Sequence, residues 1–509
     1  MSPLLSRFLA RAADVHPAVI DAHGEHPYAD VVAEALAVST FLRRAGGGAA
    51  LAGARVALLA GPGAGFVSAF FGVLLAGGVV VVLSPLHPAK ETAYFCEDAH
   101  VTRVLVDAEQ AAFVAHLRDR FPIDPVEDAC GAPEDTSARA VAEAVTASAP
   151  ALQLYTSGTT GKPKGAVLTH ANLGVQQELV GAAWGFSPRD VLLHALPLHH
   201  MHGLAIALLT ALGAGATVRM RAFEASGIWD AMREATVYMA VPAMYHRLFG
   251  AYDAADPGTR TRWAEGAARL RLATSGSAAL PVTLAERWRD LTGTIPLERF
   301  GMTEVGVGIT NPLEGERVPG SVGLPLPTVE TRIVSDDGAE VETGELWIRG
   351  PSVFAGYHER PEETAKAFVA ASDGGAPWFR TGDTVTRDAS RAGAPFRILG
   401  RSSVDILKSG GYKLSALEIE EALREHPAVL EVAVVGVPDE AWGDRVVACV
   451  VRRPPHAPEE GELRAFVRER LAPYKVPKNV LFFDELPKNA LGKVVKPTLV
   501  AQLTAAVGA

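Results

Sequence analysis

The sequence predicts an α/β protein: a large N-terminal domain of stacked βα subdomains plus a β-rich portion, then a small α+β C-terminal domain. Three observations predict it. Short β-branched runs without strict alternation recur between longer helical patterns, which implies parallel sheets buried on both faces. From about Arg332 the pattern changes to antiparallel-type strands. From about Gly400-Arg401 a separate helix–strand unit begins. The predicted domains are residues 1–400 and 401–509.

The elements follow in order. At the N-terminus Leu5, Phe8 and Leu9 share one helical face with Arg7 and Arg11 beside them, as in an amphipathic helix packed on a core. No apolar stretch there precedes a cleavage site, so it does not read as a secretory signal. Phe66–Leu83 is an apolar run near the lower limit for a membrane span. Gly77-Gly78 splits it into a buried helix and a buried strand, so no span is predicted. Predicted strands are Arg55–Leu59, Val79–Leu83, Arg103–Val106, Val191–Ala195, Thr217–Met220, Tyr238–Val241 and Arg271–Thr274. TRIVS (331–335), GELWIRG (344–350) and FRILGR (396–401) read as antiparallel strands. In the last unit Ser415 to Glu418 is a capping-box pattern opening a helix to about His426. Strands at 432–437 and 445–451, a helix at Glu462–Leu471 and a strand at Asn479–Phe483 complete a predicted two-layer domain.

The chain of 509 residues carries 48 Lys and Arg against 58 Asp and Glu, a net charge of −10. An acidic balance with no basic, aromatic-interleaved patch argues against nucleic-acid partners. Cys96, Cys130 and Cys449 lie far apart, with neither disulfide nor zinc spacing; a reducing compartment, and so a cytoplasmic location, is expected. The 49 glycines and 34 prolines form no low-complexity tract, so many loops must have special geometry.

The most informative stretch runs from Leu154 to Gly165 (LYTSGTTGKPKG). Its glycines let backbone N–H groups converge on an anion, and its hydroxyls and ammonium groups add donors. This is phosphate-cradling chemistry. It is not a Walker A loop, because Gly161-Lys162 is followed by proline, and G-x-G-x-x-G is absent.

Tyr155-Thr-Ser-Gly-Thr-Thr-Gly-Lys-Pro-Lys164-Gly resembles the signature loop of the acyl-adenylate-forming superfamily, which includes the acyl-CoA synthetases. The resemblance extends along nearly the whole chain. Glu298-Arg-Phe-Gly-Met-Thr-Glu304 resembles the adenine and magnesium motif. Gly344–Gly350 with Tyr357 resembles the next motif, and Arg380-Thr-Gly-Asp383 the ribose-binding one. Gly400-Arg401 through Lys413 resembles the hinge and thiol-tunnel segment, and Pro487–Lys493 the catalytic lysine loop.

The resemblance implies two steps. A carboxylate attacks the α-phosphorus of ATP, giving acyl-AMP and pyrophosphate; the thiol of CoA then displaces AMP. It implies catalytic roles for Lys493, Thr303, Glu304 and His200. ATP would be bound by Thr156, Ser157, Gly158, Thr159, Thr160, Gly161, Lys162, Lys164, Ser277, Glu298, Arg299, Thr303, Asp383, Arg401 and Lys493. Mg2+ would be held by Glu304 and Thr156, since it prefers hard oxygen ligands. CoA would pass Ser409, Gly410, Gly411, Tyr412 and Lys413. The small domain would rotate between the steps about a hinge just after Arg401, at Ser403 or Asp405.

The acyl pocket would be lined by 196–203, 241–247 and 275–280. The aspartate expected of an amino-acid adenylation domain is absent there. Arg247, Ser277 and Arg299 match the malonate–CoA ligase branch, and His202 could hydrogen-bond the substrate. A second carboxylate must be desolvated, and a guanidinium can receive it with two parallel hydrogen bonds. The resemblance therefore points to a malonate or methylmalonate ligase. A CoA ligase for another short-chain, medium-chain or aryl carboxylate, and a non-catalytic nucleotide-binding protein, are the alternatives. Both monomer and homodimer remain open.

Overall fold

Strands covered on both faces have no solvent side to mark with polar residues, and the unalternating apolar runs occupy that position. The computed structural model describes residues 1–133, 135, 137–156, 162–409, 412–439, 442–488 and 493–507. The run at Phe66–Leu83 shows the logic locally. Ala64–Leu75 is a helix and Val79–Val82 a strand with all four valines buried. Between them Gly77 takes φ +79°, a left-handed turn that glycine adopts without strain. No helix is long and apolar enough to cross a membrane among the described residues.

Two large sheets carry the N-terminal domain. The first has seven strands; its parallel centre runs Pro150–Thr156, Val79–Val82, Arg55–Leu59, Val101–Val106 and Ile123–Pro125, with Lys164–Thr169 and Gly356–Tyr357 added antiparallel. The second has nine strands; Leu297–Met302, Leu272–Ser275, Val237–Ala240, Val191–His194, Thr217–Met220 and Pro17–Asp21 are parallel, with antiparallel edges. One continuous hydrophobic core joins them through helices such as Tyr28–Ala45 and Ala64–Leu75. The N-terminal helix Pro3–Leu9 adds Phe8, stacked on Phe71 at 3.7 Å. A third, five-stranded antiparallel sheet, built on Thr343–Arg349 and Trp378–Arg387, is the predicted β-rich portion.

The small C-terminal domain differs from expectation in one respect. Its sheet holds Val429–Asp439 and Gly443–Arg452 at the centre, with Asn479–Phe483 parallel to the latter. Val432 and Val434 face one core with helices Ala416–Arg424 and Glu460–Arg468. Ala433, Val435 and Val437 face a second core with Leu499 and Leu503 of helix Lys496–Val507. The domain therefore has three layers, not two. Period-two alternation serves both faces of a strand whose residues are all apolar, so the second covered face leaves no polar mark.

Candidate functional site

In open α/β sheets ligands bind outside the carboxyl ends of the strands. Some predicted site residues lie at such ends: Thr156 closes Pro150–Thr156, Ser277 follows Leu272–Ser275 and Thr303 follows Leu297–Met302. Strands Pro150–Thr156 and Lys164–Thr169, which flank the phosphate-type sequence, pair antiparallel with Thr156 opposite Lys164. Ser157, Gly158, Thr159, Thr160 and Gly161 lie outside the described residues. The loop's flanks are braced by helix Ala89–Asp98. Tyr94 donates its hydroxyl hydrogen to Pro163 O at 2.9 Å, and Tyr155 donates to Asp98 Oδ2 at 2.9 Å. Arg360 closes an ion pair on Asp98 at 2.5 Å. Lys162 Nζ stands 5.9 Å from the Tyr94 ring centroid, and Lys164 Nζ 5.0 Å from that of Tyr357.

Thr303 and Glu304 form the tip of a hairpin between Leu297–Met302 and Gly306–Thr310. The Glu304 carboxylate is buried and accepts the Tyr357 hydroxyl at 2.9 Å. Burial raises its pKa; Tyr357, Arg401 and Lys164 oppose that. Asp383 follows Gly382 at φ +71°. Its Oδ1 pairs with Arg401 Nε at 2.9 Å, while Oδ2 is buried with no hydrogen-bond partner among the described residues. Burial pushes this carboxyl up to about 6, against the pull of Arg401 and Lys493. Lys493, from the small domain, therefore lies within electrostatic reach of Asp383. Glu298 is buried and braces two loops, accepting Gly320 N–H at 2.8 Å and Leu280 N–H at 3.4 Å. Burial pushes it up to about 7.

The segment expected to line the acyl pocket brings imidazoles together, and His202 among them lies within electrostatic reach of the Arg299 guanidinium. His199 and His200 lie 4.1 Å apart, and His87 meets His199 edge-on at 5.2 Å. His202 Nδ1 is 3.4 Å from Ser277 Oγ, while its Nε2 is buried without a partner. Burial lowers all four, His200 to about 4, so they are uncharged at neutral pH. Residues His202–Leu209 are π-helical, a geometry frequent at functional sites. Ser277 takes φ +68°, a strained conformation for serine. Arg299 is 5% exposed, and its Nε and Nη2 have no hydrogen-bond partner among the described residues. Desolvation lowers its pKa to about 10, which leaves it charged. A guanidinium buried with orphaned donors is costly unless an anion completes it.

Arg247, expected to receive a carboxylate, is not buried as Arg299 is. It lies on the exposed face of helix Pro242–Ala254, its guanidinium 4.6 Å from the Phe223 ring centroid. The buried face of that helix is taken by Met244, Tyr245, Leu248 and Phe249, which leaves Arg247 outward. The expected CoA residues sit apart as well. Gly410 and Gly411 lie outside the described residues. Ser409 is buried, Tyr412 stacks on Tyr474 at 4.4 Å, and Lys413 pairs with Asp336 at 2.6 Å. No hydrogen bond or ion pair joins these three to Arg299, Glu304 or Asp383 among the described residues.

Sequence reasoning missed His87, Tyr94 and Asp98. His87 had one usable signal: it follows the strand at Val79–Val82, at the carboxyl end where ligands collect. Tyr94 and Asp98 act through a contact distant in sequence and carried none.

The family described as AMP-binding enzyme matches residues 7–358, and the AMP-binding enzyme C-terminal domain matches 418–493. This chain belongs to the AMP-binding enzyme family. The mitochondrial malonate–CoA ligase of Mus musculus is 41% identical over 523 residues, spanning 96% of this chain and 88% of that relative. MatB from Rhodopseudomonas palustris with ATP bound superposes with a TM-score of 0.89 at 34% identity, covering 99% of this chain and 100% of that one. A malonyl-CoA ligase ternary product complex with methylmalonyl-CoA and AMP bound gives a TM-score of 0.67 at 37% identity, covering 96% of this chain and 100% of the other. As a member of the AMP-binding family the chain is an AMP-forming acyl-CoA ligase, using ATP and CoA.

Proposed function

We propose that this AMP-binding enzyme activates malonate, and methylmalonate beside it, by adenylation and transfers the acyl group to CoA. The buried, unpaired Arg299 guanidinium carries this reading. One carboxylate of the acid would take its orphaned Nε and Nη2 donors, leaving the other free to react. His202 Nε2, also buried and unsatisfied, would add a neutral hydrogen-bonding group that does not repel the substrate. The names of the relatives support the same acid.

Adenylation follows from the cations. The loop at 156–165, with Lys164, would cradle the phosphates. The free Oδ2 of Asp383 would accept a ribose hydroxyl, and Arg401 keeps the other oxygen oriented. Lys493 would bridge the attacking carboxylate and the α-phosphate, stabilising charge that develops in the transition state. The buried carboxylate of Glu304, with the Thr156 hydroxyl, has the hard oxygen donors that fit Mg2+; the ion would neutralise phosphate charge.

Transfer to CoA requires a second arrangement. Lys413 is tied to Asp336, and Glu421 accepts Val282 N–H at 2.7 Å, so both domains are held in the present one. The two TM-scores support two arrangements: at similar identity the match is close to an ATP-bound relative and poorer to a product complex. Rotation of residues 401–509 would release Lys413 and bring 409–413 to the thiol path.

The deciding experiment is a thioester assay with malonate, methylmalonate, acetate and octanoate at equal concentration. The two dicarboxylates should be used far faster. Preference for acetate or octanoate would overturn the substrate reading, and pyrophosphate release with none of the four would overturn the activity.

A further inference from the structure

We infer that Lys496 is a positioning residue for Lys493: it locks the base of the Lys493 loop to Asp405, so the small domain pivots at Ser403-Val404 and carries that loop as one body. This rests on the adenylation role of Lys493 and assigns what holds it in place.

The loop is closed at its base by an antiparallel bridge between Lys488 and Val494, and by Val495 N–H donating to Pro487 O at 2.8 Å. The next residue, Lys496, opens helix Lys496–Val507 and turns inward. Its Nζ lies 2.5 Å from Asp405 Oδ1 and 2.7 Å from Glu420 Oε1. Lys496 and Glu420 are buried and Asp405 is half-buried, with side-chain exposures of 10%, 4% and 14%. Arg424 adds a second cation at 2.8 Å from Glu420 Oε2, so charges balance across the cluster. Burial would lower the Lys496 pKa, but Glu420 and Asp405 outweigh it and hold the ammonium above its usual value. Buried ion clusters of this kind contribute little net stability and can serve to fix geometry.

Asp405 ties this cluster to the chain crossing. Its Oδ2 accepts Arg401 N–H at 3.1 Å, its own N–H donates to Arg401 O at 2.8 Å, and its carbonyl accepts Ala416 N–H at 2.8 Å. Gly400 makes room for it: a Cβ there would fall 2.3 Å from Asp405 Cβ. Arg401 in turn grips Asp383. A line of contacts thus runs Asp383, Arg401, Asp405, Lys496 and, three residues back, Lys493.

The same bonds separate two bodies. Ser402 belongs to the β-rich sheet, its N–H donating to Gly382 O at 2.9 Å and its hydroxyl 2.8 Å from Thr384 Oγ1. Asp405 belongs to the small domain through Lys496 and Ala416. Ser403 between them makes no hydrogen bond to any of the described residues. Rotation there would open the Asp405–Arg401 backbone pair while Asp405 and Lys496 travel together.

The test separates the half-reactions. Lys496→Met should lower the adenylation kcat about 100-fold, the size of effect that a 1 Å misplacement of a catalytic group produces. KM for ATP and thioester formation from supplied acyl-adenylate should stay near wild type. In an Asp405→Asn background, where the lock is already broken, Lys496→Met should cause little further loss of adenylation. Asp405→Asn, which keeps the shape and leaves no buried charge unpaired on its own side, should reproduce the pattern where Lys496→Met folds poorly. A loss that multiplies with Asp405→Asn, or equal loss of both half-reactions, would overturn the inference. Wild-type pyrophosphate release with malonate tests the underlying reading separately.

Discussion

The guanidinium of Arg299 rests on the bare backbone of Gly276: a Cβ at Gly276 would fall 2.5 Å from both Cζ and Nε of Arg299. No side chain other than hydrogen leaves the guanidinium where it is. Gly276→Ala should therefore displace Arg299 without removing its charge. KM for malonate should rise about tenfold, equivalent to about 1.4 kcal/mol of lost binding, while KM for butyrate changes little. Steady-state kinetics with both acids checks it; equal effects on the two would mean the loop, not the arginine, had been damaged.

Arg299 and Arg247 should separate sharply. Truncating a buried charged contact costs roughly 2–5 kcal/mol, whereas an exposed charge mainly affects encounter rate and salt dependence. Arg299→Ala should thus lower kcat/KM for malonate at least about 30-fold. Arg247→Ala should have a much smaller effect, diminishing as salt is raised, because its guanidinium is exposed and faces Phe223. A larger loss from Arg247→Ala would restore it as the carboxylate receptor.

Much of this was legible in the sequence because it is local. Parallel strands announce themselves by unbroken runs such as VVVV at 79–82, and the phosphate-type loop by its composition. Ser415 was readable as a cap, and it accepts Glu418 N–H at 3.2 Å. What escaped is set by long-range packing. Arg247 and Arg299 look alike as letters; only the faces of helix Pro242–Ala254 and strand Leu297–Met302 decide which is buried. The third layer of the small domain escaped for the same reason, and so did Asp98, which meets Tyr155 and Arg360 only in the folded chain.

The brace on the phosphate-type loop gives a mild, specific prediction. Tyr94→Phe removes the hydroxyl that bonds Pro163 O at 2.9 Å and also reaches Asp98 Oδ1 at 3.3 Å. A hydrogen bond of this type contributes about 1 kcal/mol, so KM for ATP should rise about fivefold with the acid KM unchanged. An unchanged ATP KM would show that the loop holds its shape without helix Ala89–Asp98.

Lys493→Ala should abolish adenylation, read as malonate-dependent pyrophosphate release, and leave CoA attack on supplied acyl-AMP largely intact. Its charge is needed only while the carboxylate and α-phosphate, both anionic, approach one another. Equal loss of both steps would remove Lys493 from that role.

Asp383 links the site to pH. Its folded pKa is raised from 3.8 to about 6, chiefly by burial. The native state therefore holds this proton more tightly than the unfolded chain. Its contribution to stability is fully present below pH 3.8 and is lost as pH rises through 6. Asp383→Asn removes that titration. The variant should match or trail wild type in Tm at pH 4.5 and exceed it at pH 7.5, because Arg401, 46% exposed, stays solvated without its partner. Some pH dependence should persist in the variant, since burial also raises Glu298 to about 7 and raises Glu304. AMP should reverse the wild-type loss: ribose hydroxyls donating to Asp383 favour its charged form. In the variant AMP should stabilise far less at every pH. Thermal unfolding across pH 4.5–8 with and without AMP reads both effects, and parallel Tm profiles for the two proteins would sink the assignment of the buried carboxylate to ribose.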